Sequence, residues 1–130
     1  MIHSVAAEAE HEVSWFAIRH PAVLRLLERE LAAPDGDAFA AGLELACRVL
    51  GGRTPLGDLR IDHNTLNSGM VAVRSGRCDR AMVRSIREQI HALPVVLTAR
   101  EEDAVATVTA AIIWSVLDAS ARDLDDLLVA

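Results

Sequence analysis

The sequence contains no lysine and no tyrosine, and its 130 residues include only two phenylalanines, two tryptophans and two cysteines. So few aromatic side chains disfavour a β-sandwich, because strands are enriched in aromatic and β-branched residues. Two cysteines are too few for a disulfide framework. Without lysine, all thirteen cations are arginines. A GC-rich coding bias explains this better than selection for anion binding, because alanine and aspartate are abundant as well.

The sequence also lacks the common catalytic motifs. It has no Gly-rich phosphate loop, no G-x-S-x-G, no H-E-x-x-H and no C-x-x-C. Three histidines, His3, His20 and His63, stand alone without a Ser-His-Asp context. The sequence therefore leaves catalysis open but favours a protein that is not an enzyme and has no cofactor.

Long hydrophobic runs are absent too. The longest uncharged apolar run, residues 104 to 117, has fourteen residues, too few to span a bilayer. Residues 1 to 9 lack the basic start and the long apolar core of a signal peptide. We therefore expect a single domain covering residues 1 to 130, cytoplasmic and with no membrane partner.

Helical periodicity is the dominant pattern that is present. It predicts an all-α, compact single-domain bundle of six to seven helices around a central apolar helix at about residues 99 to 117. Pro21 fits the first position of a helix, Asp79 fits an N-cap, and Thr98 with Glu101 forms a capping box. The predicted helices span about residues 4 to 19, 21 to 31, 37 to 50, 79 to 93 and 99 to 117, with a short last helix from Ser120.

Residues 51 to 76 are rich in Gly, Pro, Asn and Asp and are predicted to be irregular. Leu59, Leu66, Met70 and Val73 could line one face of a helix. A small hairpin is the alternative at residues 58 to 75, because residues 59 to 62 alternate in polarity and residues 67 to 69 resemble a turn.

Charge is segregated along the chain. Residues 53 to 100 hold eight arginines against four acidic residues, a net charge of +4, whereas residues 1 to 52 carry −4 and residues 101 to 130 carry −6. A chain of net charge −6 would ordinarily not be considered an anion binder. The basic middle segment leaves that question open.

Helical phase gathers much of this positive charge into an arginine ridge. Spacings of three, four, three and four residues place its five members within a sector of about 80°, opposite the apolar stripe of the same predicted helix. The ridge consists of Arg77, Arg80, Arg84, Arg87 and His91. An anionic partner would relieve the repulsion among these side chains. The alternative is pairing, within one chain or between two copies, with the protein's own acidic segments, for example with Asp118, Asp123, Asp125 and Asp126.

Two further patterns suggest chemistry. Glu-x-x-His occurs twice, as Glu8 with His11 and as Glu88 with His91, which is the spacing used in di-metal helical bundles. Periodicity turns these side chains away from the core, and Glu88 could instead pair with Arg84. Cys78 lies between arginines near a helix start, which would favour a thiolate, but an inert thiol fits its lack of a nearby histidine better.

The sequence thus favours a small protein–protein interaction module: an adaptor, a regulatory subunit or an antitoxin or immunity-type inhibitor. Its expected partner is another protein with an acidic patch or a second copy of the chain. A nucleic-acid or polyanion-binding regulator that uses the arginine ridge is the first alternative. A Glu/His metal-binding helical protein is the second.

Overall fold

A computed structural model describes residues 19 to 31, 36 to 51 and 61 to 129. Within these residues the chain forms five helices and no strand: α1 (Pro21–Glu30), α2 (Asp37–Gly51), α3 (His63–Arg74), α4 (Arg80–His91) and α5 (Ala99–Val129). The prediction of an all-α architecture is confirmed for this part of the chain. Residues 4 to 18 of the predicted first helix lie outside the described residues.

Helix α5 is central, since it packs against each of the other four described helices. Its middle is apolar on most sides, which suits a helix surrounded by others. Its fully buried side chains include Val105, Ala110, Ala111 and Ile112. Burial is incomplete further along, where Leu117 is 55% exposed.

The end predicted for this helix is wrong. Helix α5 continues from Ala99 to Val129, so Ser120 does not cap a separate helix. The physical reason is that no proline or glycine interrupts residues 117 to 129, whereas alanines, which are strong helix formers, flank Ser120. The described part of the chain therefore has one long helix where two were expected.

The region predicted to be irregular, residues 51 to 76, contains a helix at His63–Arg74. Residues 52 to 60 lie outside the described residues. Helix α3 begins after Asp62, whose carboxylate accepts a hydrogen bond from the Thr65 N–H at 2.8 Å. Leu66 and Met70 are buried on its inner face. The hairpin alternative is therefore wrong for residues 63 to 74, because these apolar side chains follow the helical period and meet the core.

Small residues let α3 approach the α5 backbone. A Cβ atom built on Gly69 would lie 2.8 Å from the Ala111 carbonyl oxygen, so glycine is the residue that fits. Beside it, the buried Ser115 hydroxyl lies 2.7 Å from the Ala111 carbonyl oxygen and 3.3 Å from that of Thr65. This crossing anchors α3 on the centre of the domain.

Candidate functional site

Local backbone motifs fix where the arginine ridge begins. Helix α3 ends in a Schellman motif, in which Gly76 adopts a φ of 73° and its N–H donates to the Val73 carbonyl. The Arg77 N–H completes the motif by donating to the Ala72 carbonyl at 2.9 Å. Arg77 therefore belongs to the connection between two helices, and helical phase does not govern its position. The prediction that all five ridge residues share one helix is wrong at this residue.

Helix α4 then begins where the sequence predicted. The Asp79 carboxylate accepts a hydrogen bond from the Ala81 N–H at 2.9 Å, which satisfies one of the free N–H groups of the first turn. Ile86 and Ile90 are buried against the core, and α5 is the main packing partner of this helix among the described ones. The opposite face of α4 carries Arg80 and Arg84 and is exposed.

The C-terminal end of the ridge is tied to α5. The Arg87 guanidinium donates to a Glu102 carboxylate oxygen at 2.8 Å and to an Asp103 carboxylate oxygen at 2.6 Å. His91 Nε2 lies 2.5 Å from the other oxygen of Glu102. The ridge therefore does pair partly with the protein's own acidic residues.

The carboxylates involved differ from the expected ones. The described partners of Arg87, Glu102 and Asp103, lie in the first two turns of α5. Asp118 lies fifteen residues beyond Asp103, which is about 22 Å along a helix. The side chains of Asp123, Asp125 and Asp126 lie outside the described ones. Arg87 thus pairs with the protein's own acidic residues, through Glu102 and Asp103. Pairing of the ridge with the C-terminal aspartates stays a prediction.

These contacts shift the ionisation of the groups. The hydrogen bond with His91 and the contacts with Arg87 hold the pKa of Glu102 below its ordinary value. Hydrogen bonding to Asp103 raises the pKa of Arg87, so this guanidinium stays charged. These contacts thus stabilise the charged forms of Glu102 and Arg87.

The N-terminal end of the ridge makes no such ion pairs with described residues. Its three arginines are exposed, and none of them makes an ion pair or a side-chain hydrogen bond with another residue in the described ranges. We call Arg77, Arg80 and Arg84 the arginine triad. The predicted Glu88–Arg84 pair does not form, since Glu88 has no ion pair among the described side chains. The triad thus has no direct acidic partner among the described side chains.

The metal alternative gains no geometric support from the described residues. Glu88 and His91 are both exposed, and His91 contacts Glu102 instead. Among residues 19 to 31, 36 to 51 and 61 to 129, no three His, Cys, Asp or Glu side chains are grouped as metal ligands. Glu8 and His11 lie outside the described residues.

Cys78 does not have the environment of an activated thiol. Burial raises the pKa of its thiol, and the side chain is a half-buried free cysteine. Its proton is therefore retained at neutral pH. This agrees with the interpretation of Cys78 as inert.

A second polar site was not predicted from the sequence. A cleft of about 290 Å³ lies between α1 and α3, with Arg25, Arg29, His63 and Asn67 among its lining residues. Each helix contributes one pair of these residues at a spacing of four. That spacing was a detectable signal within each helix, but only the packing of α1 on α3 brings the two pairs together.

None of the described helices is long and apolar enough to cross a membrane. Comparisons with protein-family models, curated proteins and solved structures found no match. Functional inference therefore rests on the residues themselves.

Proposed function

We propose that this protein is a protein–protein interaction module that docks an acidic surface of another protein through the arginine triad. The observation that carries the proposal is the contrast within the ridge. Arg87 and His91 are engaged by α5, whereas the triad is exposed and has no carboxylate partner among the described side chains.

Electrostatics favours an anionic partner for this surface. Arg80 and Arg84 are one helical turn apart, and like charges at this spacing destabilise a helix by about 0.2–0.5 kcal/mol. A partner's carboxylates would convert the repulsion into charge-assisted hydrogen bonds, and guanidinium groups bind carboxylates in bidentate geometry. Such complementary charges also accelerate association and select the orientation of the complex.

An acidic protein surface fits better than nucleic acid. The chain carries a net charge of −6, which opposes general attraction to a polyanion. Helix α4 and the connection before it contain no Phe, Tyr or Trp on which a base could stack. The role we infer is that of an adaptor, a regulatory subunit or an antitoxin or immunity-type inhibitor in the cytoplasm.

Site-specific photo-crosslinking in the cells that make the protein tests this proposal. A photoreactive residue replaces Ser85, which is exposed beside Arg84, and in a control protein it replaces Ala40, which is exposed on α2. We expect a discrete protein adduct from position 85 that Arg80→Gln/Arg84→Gln abolishes and Arg48→Gln leaves intact. An adduct that both positions give equally would contradict the proposal.

Two measurements separate the alternatives. Fluorescence anisotropy with duplex DNA would support the polyanion alternative if binding weakens with salt at a log–log slope of up to about −3 and the double substitution removes it. Sedimentation would support a second copy as the partner if the protein is oligomeric at low salt and dissociates as salt rises. A protein adduct at position 85 from a monomeric protein that does not bind DNA is the result that we expect.

A further inference from the structure

Two pairs of cations repeat along α4. Arg80 and Arg84 form the first pair, at a spacing of four residues. Arg87 and His91 form the second pair at the same spacing, seven residues further along the helix. Seven residues are two helical turns less about 20°, so the two pairs project in nearly the same direction, about 10 Å apart along the axis. The contacts of the second pair therefore indicate what the first pair can hold.

The second pair binds two consecutive carboxylates. Both oxygens of Glu102 are used, since one accepts a hydrogen bond from Arg87 at 2.8 Å and the other lies 2.5 Å from His91 Nε2. The other arm of the Arg87 guanidinium donates to Asp103 at 2.6 Å. Two cations one turn apart thus hold two adjacent acidic residues in the first two turns of a helix.

The first pair has no such carboxylates in the described structure. Beyond Asp103, α5 carries no charged residue over residues 104 to 117, so this part of the helix offers no acidic group. On α4 itself, the Asp79 carboxylate is engaged as the N-cap, and Glu88 makes no ion pair with a described side chain. The donors of the first pair are therefore unused among the described residues.

The surface around the first pair allows close approach of another helix. Ala81 and Ser85 are exposed beside the two arginines, and both side chains are small. Small residues at a helix contact shorten the distance between the two axes. Arg77, in the connection before α4, adds a third exposed cation at this end.

An acidic helix start is a suitable ligand for these cations. The N-terminus of a helix carries about half a positive charge, which acidic side chains in the first turns offset. Two carboxylates outweigh this partial charge, so the surface of such a helix start is negative. The helix also holds the carboxylates at a fixed separation, which reduces the entropy lost on binding.

We propose that the arginine triad recognises the start of a helix in the partner protein, where two consecutive acidic residues lie in the first two turns. This inference rests on the proposed function and narrows it from an acidic surface to one arrangement of carboxylates. Arg80 and Arg84 share the first carboxylate, and a free guanidinium arm donates to the second. The start of α5 is the intramolecular example of this arrangement.

Titration of the ¹⁵N-labelled full chain with three synthetic peptides, followed by NMR, tests this inference. Each peptide has blocked ends and about 20 residues with an alanine–glutamine body, long enough to populate a helix. The first begins Thr-Ala-Gln-Glu-Glu-Asp, which is the start of α5 with glutamine in place of Arg100. The second replaces the final Glu-Asp with Gln-Asn. The third inserts one glutamine between this Glu and Asp, which places them on opposite faces at unchanged net charge.

The three peptides should bind in a defined order. We expect the first to shift the amide signals of Arg80 and Arg84 with a dissociation constant on the order of 1 mM at low salt, because exposed ion pairs are individually weak. The third should bind at least about threefold more weakly, because only one carboxylate at a time reaches the arginines. The second should show no binding.

Substitutions complete the test. Arg80→Gln/Arg84→Gln should remove the binding of the first peptide, whereas Arg48→Gln, at an exposed arginine on α2, should leave it unchanged. Equal affinity for the first and third peptides would overturn the inference, as would the absence of binding by the first at millimolar concentration. A protein adduct from position 85 alongside either result would leave the proposed function standing, so the two proposals can fail separately.

Discussion

Helices α3 and α4 pack against α5 in different ways. On one side α3 approaches so closely that Gly69 lies against the α5 backbone, and Leu66 and Met70 are buried. On the other side α4 buries only Ile86 and Ile90 and is joined at one end by exposed ion pairs. The close crossing organises the core, whereas the narrow attachment of α4 leaves most of its polar surface available.

The largest expected effect comes from a substitution that disrupts the packing of α3 on α5. Gly69→Val introduces a branched side chain whose Cβ would lie 2.8 Å from the Ala111 carbonyl oxygen, and backbone atoms cannot move away as a flexible side chain would. We expect the free energy of unfolding to fall by about 4 kcal/mol. Ser68→Val introduces the same residue at the exposed neighbouring position and should cost less than about 1 kcal/mol. Urea denaturation, or circular dichroism where the variant is unfolded, measures both, and equal losses would contradict the close crossing.

A smaller effect is expected from the apolar attachment of α4. Ile86 is 2% exposed, so Ile86→Ala leaves a cavity and should lower the free energy of unfolding by about 2–3 kcal/mol. Val71→Ala, at a position that is 56% exposed, should change it by less than about 0.5 kcal/mol. Urea denaturation compares the two variants. If Ile86→Ala were as mild as Val71→Ala, α4 would not be held by its isoleucines.

The stability that the ion pairs between α4 and α5 contribute should depend on pH. Its contacts lower the pKa of Glu102 in the folded protein from 4.5, so the folded state favours the charged carboxylate. The resulting stability is fully present above pH 4.5 and is lost as the pH falls through the lowered value. Wild-type protein should therefore be more stable than Glu102→Gln at neutral pH.

At acidic pH, wild-type protein and Glu102→Gln should become equally stable. The difference between wild-type protein and Glu102→Gln should shrink towards zero as the pH falls, in urea denaturation between about pH 3 and pH 7. Glu88→Gln, on the exposed face of α4, should show no such dependence. A pH-independent difference for Glu102→Gln would indicate that its charge does not join the two helices.

Sequence reasoning succeeded where the signal was local. The capping box predicts the start of α5, and both of its hydrogen bonds form, from the Thr98 N–H to the Glu101 carboxylate and from the Glu101 N–H to the Thr98 hydroxyl. The contact of Arg48 with Glu44, four residues apart on α2, is local in the same way. In both cases one helix supplies all the interacting atoms, so its period is sufficient to predict them.

The sequence did not predict the contacts between one helix and another. The period of α4 placed Arg87 on the ridge, but it could not show that the first turn of α5 lies beside it. The sequence left α3 open between a helix and a hairpin because Gly69 reads as a turn residue, and only the nearby Ala111 backbone explains the glycine. The α1–α3 cleft likewise requires knowledge of which helices pack together.

The central claim is that Arg87 and His91 hold α4 to α5, whereas the arginine triad has no acidic partner among the described side chains. Its most direct test is to measure the free energies of unfolding of Arg84→Gln and Arg87→Gln in parallel by urea denaturation at neutral pH and low salt. Arg87→Gln should lose about 1 kcal/mol, because it removes a two-carboxylate network at a partly exposed site. Arg84→Gln should be unchanged or more stable by a few tenths of a kcal/mol, since it relieves repulsion from Arg80. Equal losses in the two variants would contradict the claim.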